Sequence, residues 1–210
     1  MIRTNRWPFL KRGCATSILM AAMMLILAGC ATQAPVPSDR YYRLQAVFSG
    51  EALVAPKFAG TFEIERFTAD GLTAGRPIVY VEAGDPNQLR EYNYHFWTQA
   101  PTIMLRDELV TYLRSAKVSG SIVVPEMRLD PTYVMTGRIR TLEQVLGSTN
   151  GTRLELEVAI RRIKDGKLLF LKSYAQETAQ ASPGVASAVD ALNKSLNVIF
   201  SNLLQDLRTL

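Results

Sequence analysis

The chain has 210 residues, 48% of them hydrophobic and 20% charged, with a formal net charge of +5. That is apolar enough for a buried core and excludes the composition of a disordered chain. The positive charge sits at the front. Residues 1–29 hold four of the 24 basic residues and none of the 19 acidic ones, so the balance beyond them falls from +5 to +1. A nucleic-acid-binding chain would want a basic face, and the remainder shows no such excess.

Arg3, Arg6, Lys11 and Arg12 form a positive leader, and residues 14–29 are uncharged and rich in Leu, Ile, Met and Ala. Small residues then precede Cys30. This order predicts a secretory signal over residues 1–29. Gly13 to Ala31 approaches the roughly 20 apolar residues of a membrane span, and the small-residue ending at a cysteine decides for a cleaved signal. Leu27-Ala28-Gly29-Cys30 resembles the lipobox of bacterial lipoproteins. The resemblance implies cleavage before Cys30, lipid attachment (palmitate among the acyl chains) at Cys30, and stable anchoring, since one chain alone binds membranes only marginally. Ala31 follows where an Asp would hold an enteric lipoprotein in the inner membrane, which implies the periplasmic face of the outer membrane. Cys14 would leave with the signal, so no thiol remains for a disulfide, a metal or a nucleophile.

Residues 30–40 read as the lipidated cysteine and a tether, with Pro35 and Pro37 favouring extended backbone. Residues 41–210 read as a single periplasmic domain. Tyr41 to Leu44 is a first short strand. Residues 46–60 are punctuated by Gly50, Pro56 and Gly60 and read as loop. Phe62 to Phe67 begins with strand alternation, and Phe67 breaks it, which predicts a bend or bulge. Ile78 to Glu82 is a further strand, followed by a turn at Gly84-Asp85-Pro86. Tyr92 to Trp97 is the densest aromatic run, and its alternation places Tyr92, Tyr94 and Phe96 on one face. Thr98 is a candidate cap and Pro101 a first-turn residue for a helix. Leu105, Leu109, Tyr112, Leu113 and Ala116 give that helix one apolar stripe, with Arg106, Asp107, Arg114 and Lys117 off it. Ser119-Gly120 ends it.

Tyr133 to Leu146 is a long strand expected to bend near Gly137. Residues 147–151 form a turn. Leu154, Leu156, Val158 and Ile160 then alternate with Arg153, Glu155, Glu157 and Arg161, the signature of a sheet with one packed and one wet face. Asp165-Gly166 marks a tight turn. Leu168 to Leu171 is continuously apolar and predicts a strand covered on both faces. After Pro183-Gly184, residues Val185, Val189, Leu192, Leu196, Ile199, Leu203 and Leu207 stripe a final helix, with Asp190, Asn193, Lys194 and Asn197 on its other side. The expected class is α+β: an antiparallel or mixed β-sheet with two amphipathic helices packed on it.

Catalytic signatures are weak. His95 is the only histidine, and neither a metal site nor a triad has a partner for it at suitable spacing. Glu63/Glu65 and Glu155/Glu157 each share a strand face, but they alternate with apolar residues and read as the wet side of a sheet rather than a cleft. No glycine spacing fits a phosphate loop. The reading is therefore no enzyme, no cofactor and no metal. The rings of Tyr92, Tyr94, Phe96 and Trp97 fill the joint between strand and helix or face outward as a docking patch; sequence leaves both open.

A lipobox, Tyr41-Tyr42-Arg43-Leu44, Arg76-Pro77-Ile78-Val79-Tyr80, Tyr94-His95-Phe96-Trp97 with Pro101 and the Leu105/Leu109/Leu113 helix, then a β meander and a Leu-rich helix, occur in that order. In order and spacing the chain resembles the ABC-type transport auxiliary lipoprotein family, the paraquat-inducible protein C-like partners of mammalian-cell-entry (MCE) transporters. The resemblance implies a non-enzymatic periplasmic accessory that docks an MCE-domain protein served by an ABC permease and ATPase in lipid transport. It leaves a homo-oligomer open and carries over one residue, Cys30. An accessory of outer-membrane assembly or of a cell-wall synthase is the alternative.

Overall fold

The computed structural model describes residues 37–210; the signal, Cys30 and most of the tether lie outside the described residues. The elements run β1 (Arg40–Tyr42), β2 (Phe58–Ile64), β3 (Thr68–Ala69), β4 (Pro77–Glu82), β5 (Asp85–Trp97), α1 (Pro101–Ser115), β6 (Ser119–Val123), β7 (Tyr133–Leu146), β8 (Gly151–Arg162), β9 (Leu168–Ala179) and α2 (Val185–Thr209). This is the expected α+β class, with a mixed sheet.

β7 is the spine. One side of it pairs antiparallel with β8 along almost its whole length, and β8 pairs antiparallel with β9. The other side takes three parallel partners in succession: β2 at Tyr133–Met135, β3 at Arg138–Ile139 and β4 at Gln144–Leu146. Parallel β6 continues the sheet beyond β2, and β5 and β1 continue it beyond β4. The sheet is thus whole on one side of the spine and split into two wings on the other.

The split has a local cause. β2 stops at Ile64 and the chain resumes pairing only at Thr68, which is the break expected around Phe67. The Phe67 ring turns inward, 2% exposed, onto the backbone of Gly137, where a Cβ would overlap it. The ladder between β7 and β8 shifts register just beyond, at Ile139/Thr141.

Both helices bury their apolar stripes in one continuous core with Leu154, Leu156, Val158 and Ile160 of β8. Phe200 of α2 meets Tyr112 of α1 edge-on at 5.4 Å between centroids. All seven stripe positions of α2 are buried. Truncating one such Leu to Ala costs about 2–5 kcal/mol. Gly184 precedes this helix at φ 104°, a conformation costly to residues with a Cβ. The opposite face of β8 carries Arg153, Glu155, Glu157 and Arg161, as the alternation required, and Glu157 accepts from Arg140 at 3.0 Å.

Several expectations are corrected. The first strand is Arg40–Tyr42, and Leu44 lies beyond it, buried under α1, where its N–H meets Met104 Sδ at 3.3 Å. β5 begins at Asp85, because the turn is only Ala83-Gly84. Thr98 does not cap α1; Ala100 holds the N-cap position and the Thr98 N–H donates to the Tyr42 carbonyl at 2.8 Å. Ser119-Gly120 does not end α1 but opens β6; the helix stops at Ser115 and the chain reverses through Lys117 at φ 55°. Arg106 is not a solvated residue. It is 7% exposed and donates to Asp107 and Glu126 at 2.9 and 2.8 Å. Leu168 and Leu171 are not covered on both faces: they are 54% and 60% exposed, because β9 is an edge strand paired only with β8.

Part of the stretch 46–60 that reads as loop in the sequence, together with Gln45, proves to be a strap. The N–H groups of Gln45 and Val47 donate to the side-chain amides of Asn193 and Asn197 at 2.9 and 2.8 Å. The Ala46 N–H donates to Glu108 of α1 at 2.8 Å, and Arg208 donates to the Glu51 carbonyl at 2.7 Å. The strap therefore closes the gap between the two helices.

Candidate functional site

The wing formed by β4, β5 and β1 gathers the aromatic residues. β1 lies parallel to β5 in the register Arg40↔His95, Tyr41↔Phe96, Tyr42↔Trp97. Side chains alternate across a sheet, so this register sorts them onto two faces. Tyr42, His95 and Trp97 share the inner face; Tyr41 and Phe96 share the outer one.

On the inner face, Trp97 is 2% exposed and belongs to the core. Tyr42 Oη lies 2.9 Å from His95 Nδ1, and the two rings stack at 5.6 Å. Tyr92 meets His95 edge-on at 5.3 Å and Tyr80 at 4.5 Å. The Tyr92 hydroxyl donates to Gln144 Oε1 on the spine at 2.8 Å, and Gln144 donates to Gln180 at 2.8 Å. The Tyr42 and Tyr92 hydroxyls and His95 Nδ1 thus each have a hydrogen-bond partner. Burial, then the charge of Arg40, hold the His95 pKa below its usual value; burial, then Tyr80, raise that of Tyr92.

Tyr92, Tyr94 and Phe96 do not share one face. The β4–β5 ladder passes from Pro77↔Phe96 to Val79↔Glu91, so β5 carries extra residues between Glu91 and Phe96 that β4 does not match. That bulge rotates Tyr92 inward against His95. It leaves Tyr94 on the surface, 38% exposed, and Phe96 half-buried. Trp97 and Tyr92 fill the joint, and Tyr94 with Phe96 faces out.

On the outer face, Tyr41 is 55% exposed and packs on Phe96 at 5.8 Å. Its hydroxyl donates to Asp39 at 3.2 Å. The Arg76 guanidinium lies over the Tyr41 ring at 5.5 Å, fixed there by its Nε–H donating to the Trp97 carbonyl at 3.1 Å. Arg40, Arg43 and Arg76 are all exposed, and among the described residues none of them makes an ion pair. Tyr41, Tyr80 and Arg76 join the cluster from distant sequence positions; the aromatic pair Tyr41-Tyr42 was the one local hint.

The carboxylate pairs stay apart from this cluster. Glu63 has a raised pKa, from burial and then from Glu65 and Glu126. Among the described residues no group of three or more His, Cys, Asp or Glu is placed to hold a metal. A groove of about 540 Å³ lies between the strap and α2, lined in part by Phe48, Tyr112, Ser201 and Arg208. Among the described residues no helix is long and apolar enough to cross a membrane.

The family model for the ABC-type transport auxiliary lipoprotein component matches residues 42–201, from the start of this wing to well into α2. The chain belongs to that family. Among solved structures, this auxiliary lipoprotein is similar to protein XCC0632 from Xanthomonas campestris, with a TM-score of 0.67 and 16% identity over 79% of this chain and 92% of that one. It is also similar to an uncharacterised protein, with a TM-score of 0.62 and 17% identity over 81% and 99%. These likenesses show the shared fold. A search of curated proteins finds no match.

Proposed function

We propose that this auxiliary lipoprotein is held by acylated Cys30 on the periplasmic face of the outer membrane. There it docks the MCE-domain component of an ABC transporter that moves lipids across the envelope. Its work is binding, with the chemistry and the ATP hydrolysis left to the inner-membrane partners. The observation that carries this reading is the family match over residues 42–201. The exposed surfaces are consistent with it: the open face and edge of β9 and the outward rings of Tyr41 and Tyr94 offer area for contact.

The test is affinity purification of the full chain from detergent-solubilised membranes. The expected result is an MCE protein with its permease and ATPase, together with a phospholipid imbalance in cells lacking this chain. Recovery of a β-barrel assembly or a cell-wall synthase in their place refutes the proposal. Glu155→Gln with Glu157→Gln is expected to leave complementation intact, and a loss of function in a folded double variant would point to catalysis.

A further inference from the structure

We propose that the outer face of the β1–β5 corner, with Tyr41, Tyr94, Phe96 and Arg76, rests on the phospholipid surface and sets the orientation of the body. The proposal depends on Cys30 being the anchored residue. Three observations lead to it.

The first is reach. Arg40 follows Cys30 by ten residues, a stretch that spans at most about 35 Å however it is arranged. A body of this length has a radius of gyration of about 16 Å. β1, where the anchored end enters the fold, is therefore held within about one body diameter of the lipid.

The second is composition. Half-exposed tyrosines beside arginines match the headgroup layer, where an amphipathic ring keeps its body in the apolar boundary and its hydroxyl in water. Tyr41 is built this way: its ring lies between Phe96 and the Arg76 guanidinium, and its hydroxyl is turned to Asp39. The third is charge. Arg76 is exposed and without an ion-pair partner among the described residues. A guanidinium stacked on a ring keeps N–H groups free for bidentate contact with a phosphate. Anionic headgroups complement Arg76, beside which lie Asp39, which accepts from Tyr41, and Glu91.

The sheet supplies a control. β9 is the opposite edge, five strand spacings or about 24 Å away across β5, β4, β7 and β8. Ser173 lies on its exposed part. The full acylated chain carrying Tyr94→Cys or Ser173→Cys is labelled with a fluorophore and reconstituted in vesicles of phosphatidylethanolamine and phosphatidylglycerol with a headgroup-level quencher. Acylation is read by mass spectrometry and attachment by flotation. The label at 94 is expected to be quenched several-fold more strongly than the label at 173. Arg76→Glu should reduce quenching at 94 and leave 173 unchanged. An acylated, floating protein whose two labels are quenched alike, or whose label at 94 ignores the charge reversal, overturns this inference alone. A chain without acyl groups that stays off the vesicles overturns the anchor and this inference together.

Discussion

Gly137 lacks a side chain, and the Phe67 ring occupies the space one would take. Overpacking a filled site of this kind costs about 1–3 kcal/mol. Gly137→Ala should therefore lower the urea midpoint by a corresponding amount without changing the slope, and Phe67→Ala should cost about 3–5 kcal/mol by opening a cavity. His95 makes a pH-dependent contribution. Its folded pKa lies below the usual histidine value of 6.5, so the unfolded chain binds the extra proton first. Stability from this group is complete above pH 6.5 and declines as pH falls through 6.5 toward the lower folded value. His95→Gln should flatten that part of the stability profile, read by denaturant melts from pH 7.5 to pH 5. At this scale the sequence was informative about identity but not about neighbours. The bend near Phe67 and the special role of Gly137 were both visible, yet nothing in the residues said that one lies on the other. Arg106 was misplaced because helical spacing puts it beside the apolar stripe, while its partner Glu126 comes from a separate turn.

Elements with regular periodicity were the readable ones. β7, β8 and α2 match their patterns closely, since each alternates or steps against one large core. β6 and the strap were not readable, because five residues of mixed polarity and an irregular segment carry no period. The bulge in β5 was hidden for a different reason: unbroken aromatic alternation gives no sign of residues that its partner does not match. The strap is held by side-chain amides rather than by burial. Asn193→Ala with Asn197→Ala should remove two hydrogen bonds of about 0.5–1.5 kcal/mol each, and hydrogen exchange at the Gln45 and Val47 amides should accelerate before any global change. On β9, Leu171→Lys should shift stability by no more than about 0.5 kcal/mol, as for exposed positions generally. A larger fall would show that this edge is covered in the folded molecule.

Among the described residues the strands form one sheet with a continuous half and a divided half, and the division gives its two wings different surroundings. One wing, β2–β6, has its outer edge blunted: Arg114 donates twice to the Ile122 carbonyl, at 3.0 and 2.6 Å. The other wing ends at β1, where the chain arrives from residue 30. Cys30→Ala is expected to leave unprocessed precursor in the inner membrane, detected by fractionation and by a slower-migrating band; normal processing to an outer-membrane form would refute the anchor. The α+β class followed from alternating strands and two striped helices. The wing arrangement did not, because which strand lies beside β7 depends on contacts between segments far apart in the chain.

The strap also bears on mechanics. The first residues of the body are stitched to the last helix, with Gln45 and Val47 held by Asn193 and Asn197, and β1 runs alongside β5. A pull on this end of the chain would therefore reach α2 as well as the edge of the sheet. Under the proposed anchoring at Cys30, the sheet edge and the last helix would share any load on the N-terminal end of the body.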